Sequence, residues 1–432
     1  MIGLRKMMMG VVVGVWGVLG VALCVAGKSV TVTLWDGYPE YKPVWEEAAR
    51  AYEAAHPEVR IEMEFYPLRE FERKVYVALP AGAGPDIFRA GLPYVIKYME
   101  AGFIAKPPTE VAQFVREAYP QRMVDAVTYE GEVVAVPSGG GIKMLFWNKR
   151  MFEEAGLSGP PKTWEELIEY ARRLTRYDEK GNVVRSGISL RLSGGGSGIA
   201  EKWWMFLLQA GGTILERTPN GKFHNGYDNQ AGHDALKLYI DLLYKYKVDS
   251  FDIKHDAEAF ALEQTAMFER EAWVIGYMKE HAPEVVYGTA PLPKFRRAAN
   301  MGGADGFWGT ERCRHKEVAW DFIQWLNQPR YLKEVIRKVG WVMVRSDMDY
   351  KDILEEIPLL RPAVEAPPDL YVPEYPRARC VDEVYTKLAA HLERAYRDKS
   401  LLDHPERIAK TIAEAAKETD EILKEYGEYG VE

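Results

Sequence analysis

The sequence predicts an α/β fold built as two lobes, and three observations carry that reading. Strand-period and helix-period segments alternate through the first hundred residues or so, as a doubly wound sheet with helices on both faces requires. Beyond residue 28 roughly four hundred residues remain, more than one hydrophobic core of typical size organises. The chain has 47% hydrophobic and 28% charged residues, an ordinary globular balance, with no internal repeat or low-complexity tract to suggest another architecture.

Arg5 and Lys6 precede an apolar stretch over residues 7–26, rich in Val, Gly and Leu, as a secretion signal requires. The stretch is near the ~20 residues that span a bilayer. Residues 1–27 therefore read as a signal peptide or a membrane anchor, with small residues around 24–27 favouring cleavage. Lipid attachment at Cys24 is a third outcome, against which Leu23 stands where such signals carry a small residue. The protein is expected outside the cytoplasm, periplasmic or anchored on the outer face of the cytoplasmic membrane.

Residues 30–34 alternate into a strand, 44–55 place apolar residues at helical spacing until His56-Pro57, and 59–65 form a second strand. A helix over 71–79, a short buried strand over 85–88 and a helix over 93–101 follow. Residues 132–136 return as a strand, 137–141 break it, and 144–147 resume extended structure, which marks a hinge. Thr163 is an N-cap with Glu165 and Glu166 in the first turn of a helix reaching Leu174. Helices are expected over 199–210, 233–244, 260–268, 318–326, 331–338, 381–396 and 405–426, with a strand over 273–277 and a crossing segment over 287–292. The turn 178–187 is no calcium loop, since Ser189 stands where a bidentate Glu is needed.

Several segments, in this order, resemble one family: Gly84-Pro85-Asp86-Ile87, Val136-Pro137, Leu145-Phe146-Trp147-Asn148-Lys149, Phe152-Glu153-Glu154-Ala155-Gly156 and Thr163-Trp164-Glu165-Glu166-Leu167. Gly211-Gly212, Ala266-Met267 leading to Trp273, Ala290-Pro291-Leu292-Pro293, Gly302-Gly303 and Ala319-Trp320-Asp321-Phe322-Ile323 complete the set. The chain resembles the family 1 extracellular solute-binding proteins, the group that includes maltodextrin-binding proteins. Two positions depart from the pattern: Glu271 where the family usually has Gly, and Met343 where it has Pro. The resemblance implies a two-lobe, type II periplasmic-binding-protein-like fold joined by a multiply crossed hinge. Lobe one would hold 28–138 plus 290–340, and lobe two 139–289 plus 341–432. It also implies a monomer that captures a small-molecule solute, a sugar or oligosaccharide, for the transmembrane subunits of an ABC importer.

Reversible sugar capture needs flat apolar faces and matched polar groups in an enclosed pocket. With 12 Trp and 25 Tyr the chain has aromatic rings to spare. Trp273 matches the family Trp after Ala-Met and is the leading stacking candidate, against a strand residue facing the core. Trp35, Asp36 and Tyr38 end the first strand, where ligands collect in open α/β sheets; Asp36 reads equally as a helix cap. Arg89 and Tyr94 follow the strand over 85–88. Ser138, Gly139 and Gly140 fit a hinge with exposed amides rather than a phosphate loop, because Lys143 lacks the following Ser or Thr. The run 193–198 precedes a helix bearing Trp203 and Trp204, of which Trp203 is taken as a site residue and at least one belongs in the core. Gly303, Asp305 and Trp308 lie on a glycine-rich segment that the family places at the cleft. Tyr375 and Arg377 occupy the Pro-rich approach to a late helix, where loop packing is the competing role.

A net charge of -8 with no Lys/Arg cluster speaks against nucleic acid. The eight His show no zinc spacing, no Gly-x-Ser-x-Gly occurs, and no cofactor, metal or catalytic residue is expected. An exported carbohydrate-active enzyme is the competing class, since 64 acidic residues make some carboxylate pair at hydrolase spacing inevitable. A third reading keeps the fold and changes the cargo to glycerol phosphate, polyamine or iron. Cys313 and Cys380 are read as free thiols.

Overall fold

Residues 30–194, 197–343, 345–367, 369–373 and 375–430 are described by a computed structural model; the expected export segment 1–27 with Cys24, and Gly195-Gly196 of the second glycine run, lie outside the described residues. The chain opens with the anticipated β-α-β unit: Val30–Asp36, Lys42–Ala55 and Val59–Phe65, the two strands pairing in parallel along their whole length. Helix Lys42–Ala55 buries Val44, Trp45, Ala48, Ala49 and Tyr52, a stripe at helical period that covers the sheet. Ile87–Gly91 joins in parallel on the other edge of Val30–Asp36.

The next strand inward differs from the reading of the sequence. Gly302–Thr310, expected as a cleft loop, runs antiparallel to Ile87–Gly91 and continues the sheet to Ile104–Ala105. Strand alternation then fixes its side chains, so Trp308 is wholly buried and its Nε1 donates to the Ala90 carbonyl at 2.8 Å.

Val136–Ile142 pairs with the same strand, and after Lys143 alone Met144–Asn148 enters a second, antiparallel sheet between Met267–Arg270 and Tyr287–Ala290. The chain crosses between sheets at 142–144 and returns between 290 and 302. The expected break at 137–141 is a strand with a register shift beside Asp305 and Gly306. Gly140 has φ 152°, and a Cβ there would meet the Gly303 carbonyl oxygen at 2.0 Å. Only glycine permits this crossing.

Two helix and strand assignments change around it. Residues 260–268 divide into a helix, Asp256–Ala261, and the strand Met267–Arg270, because pairing with Met144–Asn148 takes up the backbone of 267–270 that helical spacing had claimed. The 273–277 strand is instead the start of helix Val274–His281, with Trp273 at its N-cap. In the second lobe, Thr163 caps Trp164–Leu174 as expected, its Oγ1 accepting from the Glu166 amide at 3.3 Å. Helix Gly198–Ala210 is buried on nearly all sides and packed against Gln230–Ile240 and Val381–Arg397, the signature of a central helix.

Two hydrophobic clusters form. One gathers the first sheet, its helices and residues 319–363; the other surrounds Gly198–Ala210. The middle strand of the second sheet sends Met144 and Phe146 to the first cluster and Leu145 to the second. Cys313 and Cys380 are buried in different clusters as free thiols. No helix among the described residues is long and apolar enough to cross a membrane.

Candidate functional site

Where the chain crosses between the sheets a cavity of about 340 Å³ opens, within the range of small-molecule sites. Its floor is nearly free of side chains. Gly139, Gly140 and Gly141 pair there with Asp305, Ala304 and Gly303, so the floor presents backbone directly to the cavity. Leu92, Pro93, Met123, Ile142 and Met301 supply apolar walls. Four aromatic side chains, Tyr38, Tyr41, Trp341 and Tyr375, join the charged groups Arg122, Asp125, Lys143, Glu271, Asp305 and Arg377 in the lining.

Beneath the floor, at the end of the first strand, Asp36 and Arg89 are sealed from solvent at 0% and 1% exposure. Arg89 Nη2 donates to Asp36 Oδ1 at 2.9 Å and Nε to the same oxygen at 3.2 Å. Its guanidinium carbon lies 3.7 Å from the Tyr41 ring centroid and 4.5 Å from that of Tyr38. Trp45 Nε1 and the Tyr38 amide also donate to Asp36. Burial raises the Asp36 carboxyl to about 6, against the opposing pull of Arg89. Asp305 is raised by burial too, with Arg89 and the Tyr38 hydroxyl pulling the other way. The assembly holds the two Tyr rings in place; Asp36 itself does not reach the cavity.

The crossing residue Lys143 meets Glu271 at 3.0 Å, and Arg270 reaches the other carboxylate oxygen at 3.3 Å. Burial would raise Glu271, but Lys143 and Arg270 outweigh it and hold its carboxyl well below the usual range. Behind them Lys202 is buried, donating to the Glu269 carbonyl at 2.9 Å with Asp256 and the Glu269 carboxylate within 4 Å.

Trp341 is positioned by the helix before it. Pro329–Val339 starts on Pro329 and ends at Gly340, which is left-handed at φ 81°. A Cβ on Gly340 would meet the Ala272 carbonyl oxygen at 2.9 Å, so this residue must be glycine for its turn and for its contact with the Ala272-Trp273 corner. The chain leaves the turn with Trp341 half-buried on the cavity wall, 6.3 Å between ring centroids from Tyr38. Its indole Nε1 is buried and has no hydrogen-bond partner among the described residues.

Of the residues singled out from sequence, Tyr38, Gly139, Gly140, Gly303, Asp305, Tyr375 and Arg377 line the cavity. The others do not. Trp35 is buried with Nε1 on Glu64 at 3.0 Å. Tyr94 donates to the Glu72 carbonyl at 2.6 Å. Ser138 is buried under the floor and offers its carbonyl to Arg89 at 3.5 Å. Asp36 and Arg89 support from below, and Trp308 faces the sheet core. Trp203 is fully buried, edge-on to Tyr227, because its helix is central to the lobe. Trp273 stands one layer behind the wall, its Nε1 3.3 Å from Glu271 and its ring 5.3 Å from Arg270. Sequence reasoning missed Tyr41, Arg122, Lys143 and Trp341. For Trp341 a signal existed, the helix-ending Gly340 just before it; for Arg122, on the six-residue helix Gln121–Ala126, there was none.

A family model described as bacterial extracellular solute-binding protein matches residues 36–333. A maltotriose-binding protein of Pyrococcus abyssi is 24% identical over 336 residues, 76% of this chain and 68% of that protein. Among solved structures, the cyclic alpha-maltosyl-1,6-maltose binding protein of Arthrobacter globiformis superposes with a TM-score of 0.76 at 23% identity, covering 92% of this chain and 99% of that one. An ABC transporter solute-binding protein of Thermotoga lettingae bound with alpha-D-tagatose gives 0.73 at 24% identity, covering 91% and 100%. These likenesses establish the two-lobe fold of maltose-binding type.

Proposed function

The chain belongs to the family of bacterial extracellular solute-binding proteins, and from that premise we propose that it carries a sugar or short oligosaccharide, unaltered, to the transmembrane subunits of an ABC importer. The observation that carries this reading is the Trp341 wall. A half-buried indole whose Nε1 has no hydrogen-bond partner among the described residues offers one apolar face and one donor, which a pyranose ring with its hydroxyls satisfies together. Tyr38 and Tyr375 add rings, and the glycine floor adds close backbone approach. A solute of one charge sign fits less well, because cations and carboxylates line the cavity together, Arg122, Lys143 and Arg377 with Asp125, Glu271 and Asp305.

The expected division, lobe one 28–138 plus 290–340 and lobe two 139–289 plus 341–432, is moved in this reading so that lobe one keeps 139–142, which belong to the first sheet, and 341–363, which pack in the first cluster. Closure occurs about the glycine crossing whenever the ligand touches both lobes. Residues 1–27 direct export, and the carrier works as a monomer. Nothing is cleaved or transferred in this scheme. Calorimetry across mono- and oligosaccharides, glycerol phosphates and polyamines tests the cargo, with saturable binding of a saccharide expected. Binding confined to the phosphates or polyamines sinks the sugar reading. Chromatography of oligosaccharides after incubation tests the rest, and any new product overturns transport without chemistry.

A further inference from the structure

A second, larger cavity of about 590 Å³ adjoins the first. Pro373, Tyr375 and Arg377 line both, so the Pro-rich segment forms a shared rim between them. The segment is tied at each end. The Tyr371 amide donates to the Ala298 carbonyl at 3.0 Å and its carbonyl accepts from the Asn300 amide at 2.9 Å. Arg377 Nη2 donates to the Asp125 carbonyl at 2.6 Å, on the helix that also carries Arg122. The rim is thus fixed relative to the first cavity.

Besides the rim, the lining of the second cavity comes from the Tyr129-Glu130 turn, the hairpin of Leu215–Arg217 and Phe223–Asn225, the Gly211–Thr213 corner and the Gly427-Glu428 segment. Seven charged residues line it, and of these Glu130, Glu216, Arg217 and Lys222 are in no ion pair or side-chain hydrogen bond among the described residues, whereas Glu428 is paired with Arg379. Arg297 packs 4.0 Å from the centroid of the Tyr371 ring, an exposed platform on the same wall. Acceptors and donors of both signs in one cavity match hydroxyl groups, which give and take a hydrogen bond each. A ligand of single charge would meet its own sign on at least three of the seven.

We propose that the second cavity is a distal subsite for an extended oligosaccharide, whose chain leaves the Trp341 cavity over the Pro373-Tyr375-Arg377 rim and ends among Glu130, Glu216, Arg217 and Lys222. This deepens the sugar reading and rests on it. It makes the natural cargo a chain too long for the first cavity alone, and affinity should rise in a step when the chain becomes long enough to pass the rim.

Calorimetry with linear α-1,4-glucans, β-1,4-mannans and arabinans of one to about seven units tests this on the wild type, on Glu216→Trp, which fills the distal cavity, and on Arg217→Ala. The expected result is a rise of at least about tenfold between short and long members of the preferred series. Both variants erase the rise and leave the short members at wild-type affinity. Far-ultraviolet dichroism and melting temperature confirm that the variants fold. Affinity independent of length, or a rise that survives in both folded variants, overturns the distal subsite while the sugar reading stands. If no member binds at any length while another solute class does, the sugar reading fails and the subsite falls with it.

Discussion

Asp36 with Arg89 and Glu271 with Lys143 are both carboxylate-cation pairs at the cleft, yet their surroundings drive the two acids in opposite directions. Asp36 is sealed, and its single guanidinium is shared with Asp305, so desolvation prevails and the carboxyl rises to about 6. Glu271 keeps 20% of its side chain exposed and has two cations, so attraction prevails and the carboxyl falls. The balance between burial and the number of opposite charges, rather than pairing itself, sets the state of each acid. The first pair is scaffold, holding Tyr38 and Tyr41. The second belongs to the wall of the cavity.

The largest effect that distinguishes them is on stability. Arg89→Met leaves Asp36 buried without its cation and should cost about 3–5 kcal/mol, read as a lowered denaturant midpoint at constant slope. A loss under about 1 kcal/mol would show that the sealed pair is dispensable. Lys143→Met should cost less, because Glu271 retains Arg270 and water.

On binding the order reverses toward the wall. Trp341→Ala should weaken saccharide affinity at least tenfold, about 1.4 kcal/mol, with little change in melting temperature. Unchanged affinity by calorimetry removes Trp341 from the site.

The opposite pKa shifts make a smaller, signed prediction. Glu271 is lowered from 4.5, so its pair contributes stability that is complete above that value and lost as pH falls toward the depressed folded value. Asp36 is raised from 3.8, so its contribution falls as pH climbs from 3.8 to about 6. Melting temperatures followed from neutral pH into the acid range should therefore drop less steeply in Glu271→Gln than in the wild type. Parallel curves would place the acid loss elsewhere. The smallest effect concerns Trp273. Trp273→Phe keeps a ring and removes only the contact with Glu271, and should cost about 1 kcal/mol of stability or less while changing affinity no more than about threefold. A tenfold loss in affinity would move Trp273 into contact with ligand.

Much of the cleft was legible because glycine announces close backbone approach. Gly139, Gly140 and Gly303 were identified from composition and order, and all three lie on the floor. Tyr38 followed from its place after the first strand, and Asp305 from the glycine-rich segment that the family resemblance put at the cleft. The tryptophans were far less legible. Trp35, Trp203, Trp273 and Trp308 have the residue type that stacks on sugars, but the same large apolar ring is what a core consumes first, and none of the four lines the cavity. Which ring remains at a surface depends on what packs over it. Glu271, marked in sequence only as a departure from the family pattern, proved to be a lining residue bound to Lys143.

The sequence by itself determined the alternating α/β elements, the order of family segments, the capped helix at Thr163 and the glycine crossing, because propensity, capping and backbone permissiveness act over a few neighbouring residues. Only the tertiary structure decided that Gly302–Thr310 is an antiparallel strand inside the first sheet, that 267–270 is extended, that Trp341 rather than Trp273 faces the cleft, and that Asp36 and Glu271 titrate in opposite senses. Each of these depends on partners more than a hundred residues away, or on how many charges converge in space, and neither is written in local spacing.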